Sequence, residues 1–439
     1  MTTQPRLLRG FRDYLPETMI AKEAMLREVA RTFEAHGFAP LQTPALEHED
    51  VLLGKCGDEG DRLLYRFRDL GDRPVAMRYD LTVPLARVVA QYADLEQPFR
   101  RYQIGTVWRA EKPSPGRYRE FMQCDVDITG TDAMLADAEI LAAGAAVLRN
   151  LGVARFVIRV NNRKILNAAL ARVGVVEEPV VKATLRAVDK LAKVGEAGVR
   201  AELGREVGLE AGAIDGVFEF LGRNRPPAAP AVLLDRLAPL LAAQPEGVQG
   251  LAELRELLGY VAAMGLGEHV EVDLSIARGL DYYTGTIYET FLRDREDSGS
   301  IMSGGRYDGL IGVFRKEPVP AVGISLGIDR LFATLLELGL VRTTRATAAV
   351  LVAVFDAASA CDAVRLAAAL RRAGVPTELY PAPDRLKKQF RYADRKGIAL
   401  VALAGPDERA AGSVKVKRLE TGQETIVPEA ELAARIPSL

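Results

Sequence analysis

Residues 101–130, RYQIGTVWRAEKPSPGRYREFMQCDVDITG, concentrate the side chains best suited to chemistry. The stretch reads as a strand, a Pro/Gly-containing loop and a second strand returning beside the first, with Arg109 and Glu111 on the outgoing strand. Arg117, Arg119, Gln123, Asp125 and Asp127 fall on the return. Guanidinium forks grip phosphate oxygens bidentately, so three arginines around one hairpin loop suit a triphosphate. Cross-strand Arg–carboxylate pairing on an exposed face is the other reading of the same pattern. Alternation with period two places Gln123, Asp125 and Asp127 on one face, which turns Cys124 behind the sheet. A second cluster, RGLDYYTGTIY at 278–288, sets Arg278, Asp281, Tyr282 and Tyr283 beside Gly279 and Gly285. Paired tyrosines also suit a strand's core face, but the glycine flanks let backbone approach a ligand closely. MSGGRYDGL at 302–310 reads as a second glycine-rich tight turn, carrying Arg306. GISLGIDRLF at 323–332 runs from a strand through Gly327 into a helix, with Arg330 in the first turn. His36, His48 and His269 are isolated, and Cys56, Cys124 and Cys361 are scattered, so no metal is assigned.

These residues need a scaffold, and length and composition bound it. At 439 residues the chain has room for about two to four domains. With 49% hydrophobic and 27% charged residues, a sizeable core is available and global disorder is excluded. Lys plus Arg total 58 against 59 for Asp plus Glu, a net charge of −1, which argues against a dedicated polycation that coats nucleic acid. Charge-free runs reach only about a dozen residues, as at 257–267, so no membrane-spanning helix is expected. Arg6, Arg9, Arg12 and Asp13 interrupt any apolar segment at the N-terminus, so no signal peptide is expected either.

Helical spacing marks 17–35, and FAPLQTPALEHED after it is extended, with prolines at 40 and 44. VAMRYDLT, RRYQIGTVWRAE and REFMQCDVDITG follow as short strands between turns, the rhythm of an antiparallel sheet. No G-x-G-x-x-G or Walker-type loop supports a parallel nucleotide-binding fold. Ala, Leu, Val and Arg then dominate, with helical periodicity at 182–194, 231–243 and 249–263 and a break at RPPAAP. Strand-like pieces return at 269–276, 282–291 and 319–326. The expected organisation is an α+β catalytic domain, an antiparallel sheet flanked by helices, in parts 1–164 and 263–340. A helical insertion occupies 165–262. From 346 to 439 strands and helices alternate, predicting a compact α/β domain with a mostly parallel sheet. Residues 385–418 hold 10 Lys/Arg against 3 Asp/Glu, a net +7 in a chain that is neutral overall, which suggests that a polyanion docks there. Tyr380, Phe390 and Tyr392 offer either base-stacking faces or core packing in this region.

Together these pieces resemble a class II aminoacyl-tRNA synthetase, and specifically the histidyl-tRNA synthetase family. Residues 101–130 resemble the second motif of that class, GISLGIDRL the third and GFAPLQTPALE around Pro44 the first. RGLDYYTG and SGGRYD resemble the two peptides that mark the histidine branch. RGFRDYLP resembles its N-terminal signature, and MRYDLTVPLAR at 77–87 its histidine-binding loop. The C-terminal block resembles the anticodon-binding domain.

The resemblance implies roles. Arg109 and Arg278 would hold the α-phosphate and the histidine carboxylate, Arg330 the γ-phosphate and Arg117 the bent pyrophosphate end. Glu111 and Phe121 would position adenine. Asp80, Leu81 and Thr82, with Gln123 nearby, would receive the α-ammonium. Asp127 would accept an imidazole N–H, with Tyr283 beside it and Tyr282 lining the pocket. ATP with Mg²⁺, L-histidine and histidine tRNA are the implied partners, in a cytoplasmic homodimer with the segment near Pro44 at its interface. Lys112, Ser114, Lys387, Lys388 and Arg391 would touch the tRNA. The loop KPSPG lacks the arginine and glutamine that common bacterial members carry there to help read the extra 5′ guanosine. A histidine-binding regulatory paralogue, part of an ATP-phosphoribosyltransferase and without catalysis, is the alternative; it lacks an anticodon-binding domain and degrades the phosphate-binding arginines.

Overall fold

A computed structural model describes residues 3–54, 57–114, 116–222, 229–277 and 282–439. The chain divides into two compact units, one running to Arg12 and then over Met25–Leu340, the other comprising Asp13–Ala24 and Val341–Leu439.

The first unit is organised by an eight-stranded sheet. Its order is Ala39–Pro40, Phe99–Trp108, Glu120–Thr129, Ala321–Gly327, Met302–Arg306, Thr286–Leu292, Phe156–Asn162 and Val270–Val272. The six central strands are antiparallel throughout, as expected, and each edge adds one short parallel strand. Sequence reading gives six or seven strands; the edge pieces of two and three residues are too short to show a period. A real correction concerns Met302–Arg306, expected as a tight turn. It is a central strand, with Gly304 opposite Ile324 on one side and Tyr288 on the other. Its glycines serve close packing: a Cβ at Gly304 would lie 2.1 Å from the Gly323 carbonyl oxygen.

One face of this sheet is apolar. Val126, Ile128, Ile324 and Leu326 are buried there with Cys124, and the helix Met134–Asn150 lies against it with Ile140, Leu141 and Leu148 fully buried. Each such side chain contributes ~1.5–3 kcal/mol through burial. That reserve leaves the opposite face free to carry polar groups. Asp137, at the start of this helix, is fully buried and pairs with Arg306, while Thr286 and Tyr288 donate hydroxyl hydrogens to it. Arg306, expected on a turn, thus anchors the helix to the sheet.

Between Phe156–Asn162 and Val270–Val272 the chain is helical, as expected: Arg163–Arg172, Glu178–Val188, Leu191–Glu202, Ala211–Gly222, Pro230–Leu241 and Pro245–Ala263. Asn162 caps the first of them by accepting the Lys164 N–H at 2.9 Å. The helix expected over 17–35 runs Pro16–Ala35. A small three-stranded sheet, Leu46–His48, Pro74–Met77 and Arg66–Arg68, precedes the helix Thr82–Gln91.

In the second unit the expected alternation holds. The sheet order is Thr377–Leu379, Val350–Val352, Leu400–Leu403, Ser413–Arg418 and Glu424–Pro428. Only the first three strands are parallel; Ser413–Arg418 and Glu424–Pro428 form a hairpin that joins the same sheet antiparallel, so the sheet is mixed rather than mostly parallel. Among the described residues no helix is long and apolar enough to cross a membrane.

Candidate active site

Register builds the site. Arg101, Gln103 and Gly105 lie directly opposite Asp127, Asp125 and Gln123, and the next strand sets Gly323, Ser325 and Gly327 against the same three residues. One polar face therefore spans three strands, as the period-two reading of 123, 125 and 127 predicts. Cys124 points to the other face and is fully buried.

The centre of this face is a buried charge cluster. Arg101 has no exposed surface, and its guanidinium lies 2.8 Å from the Asp127 carboxylate. The same Arg101 nitrogen, Nη2, donates to the Leu81 carbonyl at 3.2 Å. The Tyr307 hydroxyl donates to the other Asp127 oxygen at 2.5 Å. The close Arg101–Asp127 approach is an ion pair rather than an aligned hydrogen bond, since that Asp127 oxygen and the Arg101 Nε and Nη1 satisfy no hydrogen-bond geometry. Burial pushes Asp127 above the usual carboxylate range, opposed by Arg101 and Tyr307. Burial pushes Asp125 up to about 7, with Arg101 pulling down and the Asp127 charge adding to the rise. Glycine makes the cluster possible: a Cβ at Gly323 would sit 1.9 Å from an Asp127 carboxylate oxygen.

Around this floor stand the remaining expected residues. Asp80 accepts the N–H groups of Thr82 and Val83 at 3.2 and 3.0 Å, at the start of the helix Thr82–Gln91, and so fixes the Asp80–Leu81–Thr82 loop. Its charge is close enough to raise both Asp125 and Asp127. Gln123 donates through its amide to Ser325 at 2.7 Å. The Tyr282 ring meets Tyr283 edge-on at 5.0 Å and Tyr307 at 5.9 Å. A Cβ at Gly305 would lie 3.0 Å from the Tyr283 ring, so that glycine lets the tyrosine lie against the sheet.

Toward the other end of the face lie the phosphate-binding candidates. Arg109 sits just past the strand end at Trp108, its guanidinium 4.2 Å from the Tyr79 ring centroid and 5.2 Å from that of Phe121. Its Nε donates to the Tyr79 carbonyl at 3.1 Å, and it forms no ion pair among the described residues. An arginine clamped between two rings and without a carboxylate partner is well prepared to receive an anion. Glu111 and Arg117 pair with each other at 2.5 Å, an Arg–carboxylate pair within the loop rather than across strands; Arg117 is half exposed. Arg109, Glu111, Arg117 and Arg119, expected on the strands, all lie in the connection between them, because the outgoing strand ends at Trp108 and the return strand begins only at Glu120. Arg119 donates to the Glu111 carbonyl at 2.8 Å, bracing the loop that carries Lys112 and Ser114, both exposed. Arg330, in the first turn of the helix Ile328–Glu337, donates to the Ser300 carbonyl at 2.6 Å. Arg278 and Asp281 lie outside the described residues.

Several residues of the site are absent from the sequence-based set. Tyr307 directly follows the Arg306 that drew attention, and strand alternation would have placed it on the site face. Arg101 and Ser325 become visible only through register. Asp329 accepts the Met122 backbone N–H at 2.7 Å and a guanidinium N–H of Arg12 at 3.2 Å; Arg12 also donates to the Tyr118 hydroxyl at 2.8 Å. The N-terminal segment, the return strand and the Arg330 helix are thereby locked together. The histidines remain apart: His269 stacks on Phe156 at 4.1 Å, and no group of three His, Cys, Asp or Glu side chains among the described residues could hold a metal ion.

In the second unit Lys387, Lys388 and Arg391 are exposed on the helix Leu386–Lys396, and Lys388 is tied to Asp384 at 2.7 Å. Lys387, Arg391 and Arg395 recur every four residues along one exposed stripe, with no ion pair among the described residues. Tyr380 and Tyr392 pack edge to face at 5.4 Å, and the Tyr380 hydroxyl donates to Asp384 at 3.0 Å. Core packing is their observed role.

Comparison with known proteins bears directly on this arrangement. Residues 10–331 match the family model for histidyl-tRNA synthetase, and residues 349–439 match that for the anticodon binding domain. A histidine–tRNA ligase from Rhodopirellula baltica is 43% identical over 95% of this chain and 94% of its own length. One from Wolinella succinogenes is 41% identical over 98% of both. The crystal structure of histidyl-tRNA synthetase from a Nostoc species superposes with a TM-score of 0.87 at 33% identity, covering both chains fully. An ATP phosphoribosyltransferase regulatory subunit/histidyl-tRNA synthetase from Bacillus halodurans shares the fold, with a TM-score of 0.74 at 24% identity over 89% of this chain. With family matches over both units and relatives this close over nearly the whole length, the chain belongs to the histidyl-tRNA synthetase family.

Proposed function

We propose that the protein activates L-histidine with ATP and transfers it to the 3′ end of histidine tRNA. The observation that carries this reading is the join of two sites on one sheet face: a buried carboxylate cluster fit for a small cationic substrate, and an aromatic-clamped Arg109 fit for phosphate. In the first step a histidine carboxylate oxygen attacks the α-phosphorus of ATP, an O–P bond forms, and the bond to pyrophosphate breaks. Negative charge builds on phosphate oxygens, so positioned cations serve the reaction better than a nucleophilic side chain. Arg109 and Arg278 hold the α-phosphate and the histidine carboxylate. Arg330 and Arg117 take the terminal phosphates, the latter by exchanging Glu111 for phosphate. Glu111 and Phe121 position adenine. Asp127 accepts the imidazole N–H on the oxygen that lacks an aligned hydrogen bond, and an amino acid without that N–H would leave this buried oxygen with only its Arg101 ion pair, which disfavours such substrates. In the second step the terminal hydroxyl of the tRNA attacks the adenylate carbonyl and AMP leaves.

Mg²⁺ would arrive with ATP, whose phosphates supply its first ligands. No group of three His, Cys, Asp or Glu side chains among the described residues is arranged to hold a metal ion, and no protein ligand is assigned. We assign 1–164 and 263–340 to catalysis, 165–262 to the helical insertion and 346–439 to anticodon binding, with Lys387, Lys388 and Arg391 on phosphate there and Lys112 and Ser114 at the acceptor end. A cytoplasmic homodimer joined near Pro44 completes the proposal. Leu46 and Phe67, 44% and 46% exposed, lie diagonally on one face of the small sheet that follows this segment and suit an interface. The histidine-only alternative is disfavoured by the retained arginines and the anticodon binding domain.

The test is histidine-dependent exchange of labelled pyrophosphate into ATP, with Arg109→Ala and Arg278→Ala as controls. Exchange that requires histidine and falls ~10²–10³-fold in each variant supports the reading. Histidine binding without exchange would replace it with the regulatory one.

A further inference from the structure

Three acceptor oxygens on the floor of the site are buried without a hydrogen-bond partner among the described residues: Asp127 Oδ2, which has the Arg101 ion pair, and Gln123 Oε1 and Asp125 Oδ1, which have no ion pair there either. The residues of the last two are 8% and 2% exposed. They are two apart on one strand and meet at one side chain, because Ser325 accepts from the Gln123 amide at 2.7 Å while its hydroxyl donates to Asp125. The serine thus fixes which atoms remain. Gln123 presents its carbonyl rather than its amide, and Asp125 presents one carboxylate oxygen.

Gln103, opposite Asp125, is engaged elsewhere, donating to Thr43 at 3.0 Å. Arg101, opposite Asp127, is committed to Asp127 at 2.8 Å, whereas Asp125 has no ion pair among the described residues. Other charged groups around Asp125 are Asp80 and Asp127, which repel its charge, and Arg78, which interacts with it. The Arg78 guanidinium is held by carbonyls, with its Nε on Thr106 and its Nη1 on Thr43, each at 2.8 Å.

Buried acceptors that lack donors cost about 1–3 kcal/mol each until a partner arrives. Two such acceptors beside an unbalanced carboxylate call for a compact cation with several N–H groups. An alkylammonium has three, whereas an imidazole nitrogen has one. We infer that Asp125, oriented by Ser325, is a further histidine-binding residue that receives the substrate's α-ammonium together with Gln123. This rests on the histidine reading above and adds Asp125 to the carboxylates of that reading, Asp127 on the imidazole and Asp80 on the ammonium.

The experiment compares wild type, Asp125→Asn and Ser325→Ala by titration calorimetry. The ligands are histidine, histidinol and 3-(imidazol-4-yl)propionate, which lacks the amino group. Asp125→Asn is expected to weaken histidine and histidinol by about 10–100-fold and to leave the deamino compound within about 2-fold. Ser325→Ala should move the same way by less. Histidine titrated near pH 7 in two buffers of different ionisation enthalpy gives a second measure, since an ammonium that docks on Asp125 drives off its proton. Release should be smaller in Asp125→Asn than in wild type, the contribution of Asp127 being common to both. Equal weakening of all three ligands, unchanged histidine affinity, or identical proton release in wild type and variant would overturn the assignment. Absence of histidine binding to wild type would instead remove the histidine reading itself.

Discussion

Gly323→Ala tests whether the floor of the pocket is shaped as described. A Cβ built at this position lies 1.9 Å from Asp127 Oδ1, 2.5 Å from its Cγ and 2.9 Å from the Val126 carbonyl oxygen. Ordinary contact begins near 3.4 Å, so the carboxylate must retreat by about 1.5 Å (3.4 − 1.9), while the backbone oxygen cannot. That retreat breaks the Tyr307 hydrogen bond at 2.5 Å and spoils the Arg101 ion pair at 2.8 Å. Overpacking of this kind costs about 1–3 kcal/mol of stability. Displacing a charged acceptor from the substrate costs a further ~1.5–3 kcal/mol in binding, about 10–150-fold in histidine affinity. Arg109 and Arg330 are fixed by other contacts, so the ATP KM should move less than about 2-fold. Pyrophosphate exchange measured against histidine and ATP separately, with a melting curve for each protein, gives the comparison. Gly212→Ala, where a Cβ meets nothing within 4 Å, is the control and should leave both KM values unchanged. A folded Gly323→Ala protein with a normal histidine KM, or one in which both substrates weaken equally, would refute the placement of Asp127 against Gly323.

Other expectations follow from neighbouring contacts. Arg101→Met should destabilise the protein by about 3–5 kcal/mol, because it leaves buried carboxylates without their cation. The loss should grow with pH: Asp125, pushed up to about 7, already weakens the fold as pH rises from the unfolded value near 4, and losing Arg101 extends that decline above 7. Melting curves at pH 5.5, 7 and 8.5 check this, and a gap between variant and wild type that ignores pH would contradict it. Asp329→Asn should raise the ATP KM several-fold with little change for histidine, since Asp329 ties Met122 and Arg12 to the helix bearing Arg330. Steady-state kinetics on both substrates separate the two. Lys387→Glu with Arg391→Glu should leave pyrophosphate exchange intact but weaken tRNA, reducing the salt slope of binding by roughly 0.7–0.9 for each phosphate no longer neutralised. Filter binding across a salt series reads it directly.

What could be read from the sequence was local. Period-two alternation placed Gln123, Asp125 and Asp127 on one face, and the strand-to-helix passage at Gly327 placed Arg330 in a first turn, because both depend only on spacing along one element. Arg101 was beyond reach for the opposite reason. It lies 26 positions from Asp127, and only the hairpin register brings them face to face. The glycines at 304 and 305 misled, since the same residue that permits a tight turn also permits strands to crowd, and composition alone does not distinguish the two.

The missed residues share a physical character. Arg101, Tyr307, Ser325 and Asp329 act by holding another group, and a holding residue is defined by its partner. Arg109, by contrast, belongs to a cluster that could be read from the sequence before any contact was known. Pre-organisation explains why the concealed class matters: an Asp127 free to swing away from Arg101 and Tyr307 would lose the fixed position on which discrimination depends. Substitutions of Arg101 or Ser325 should therefore alter selectivity among histidine analogues more than they alter catalysis once histidine is bound. That split between specificity and turnover is the signature expected of residues that shape a site rather than react in it.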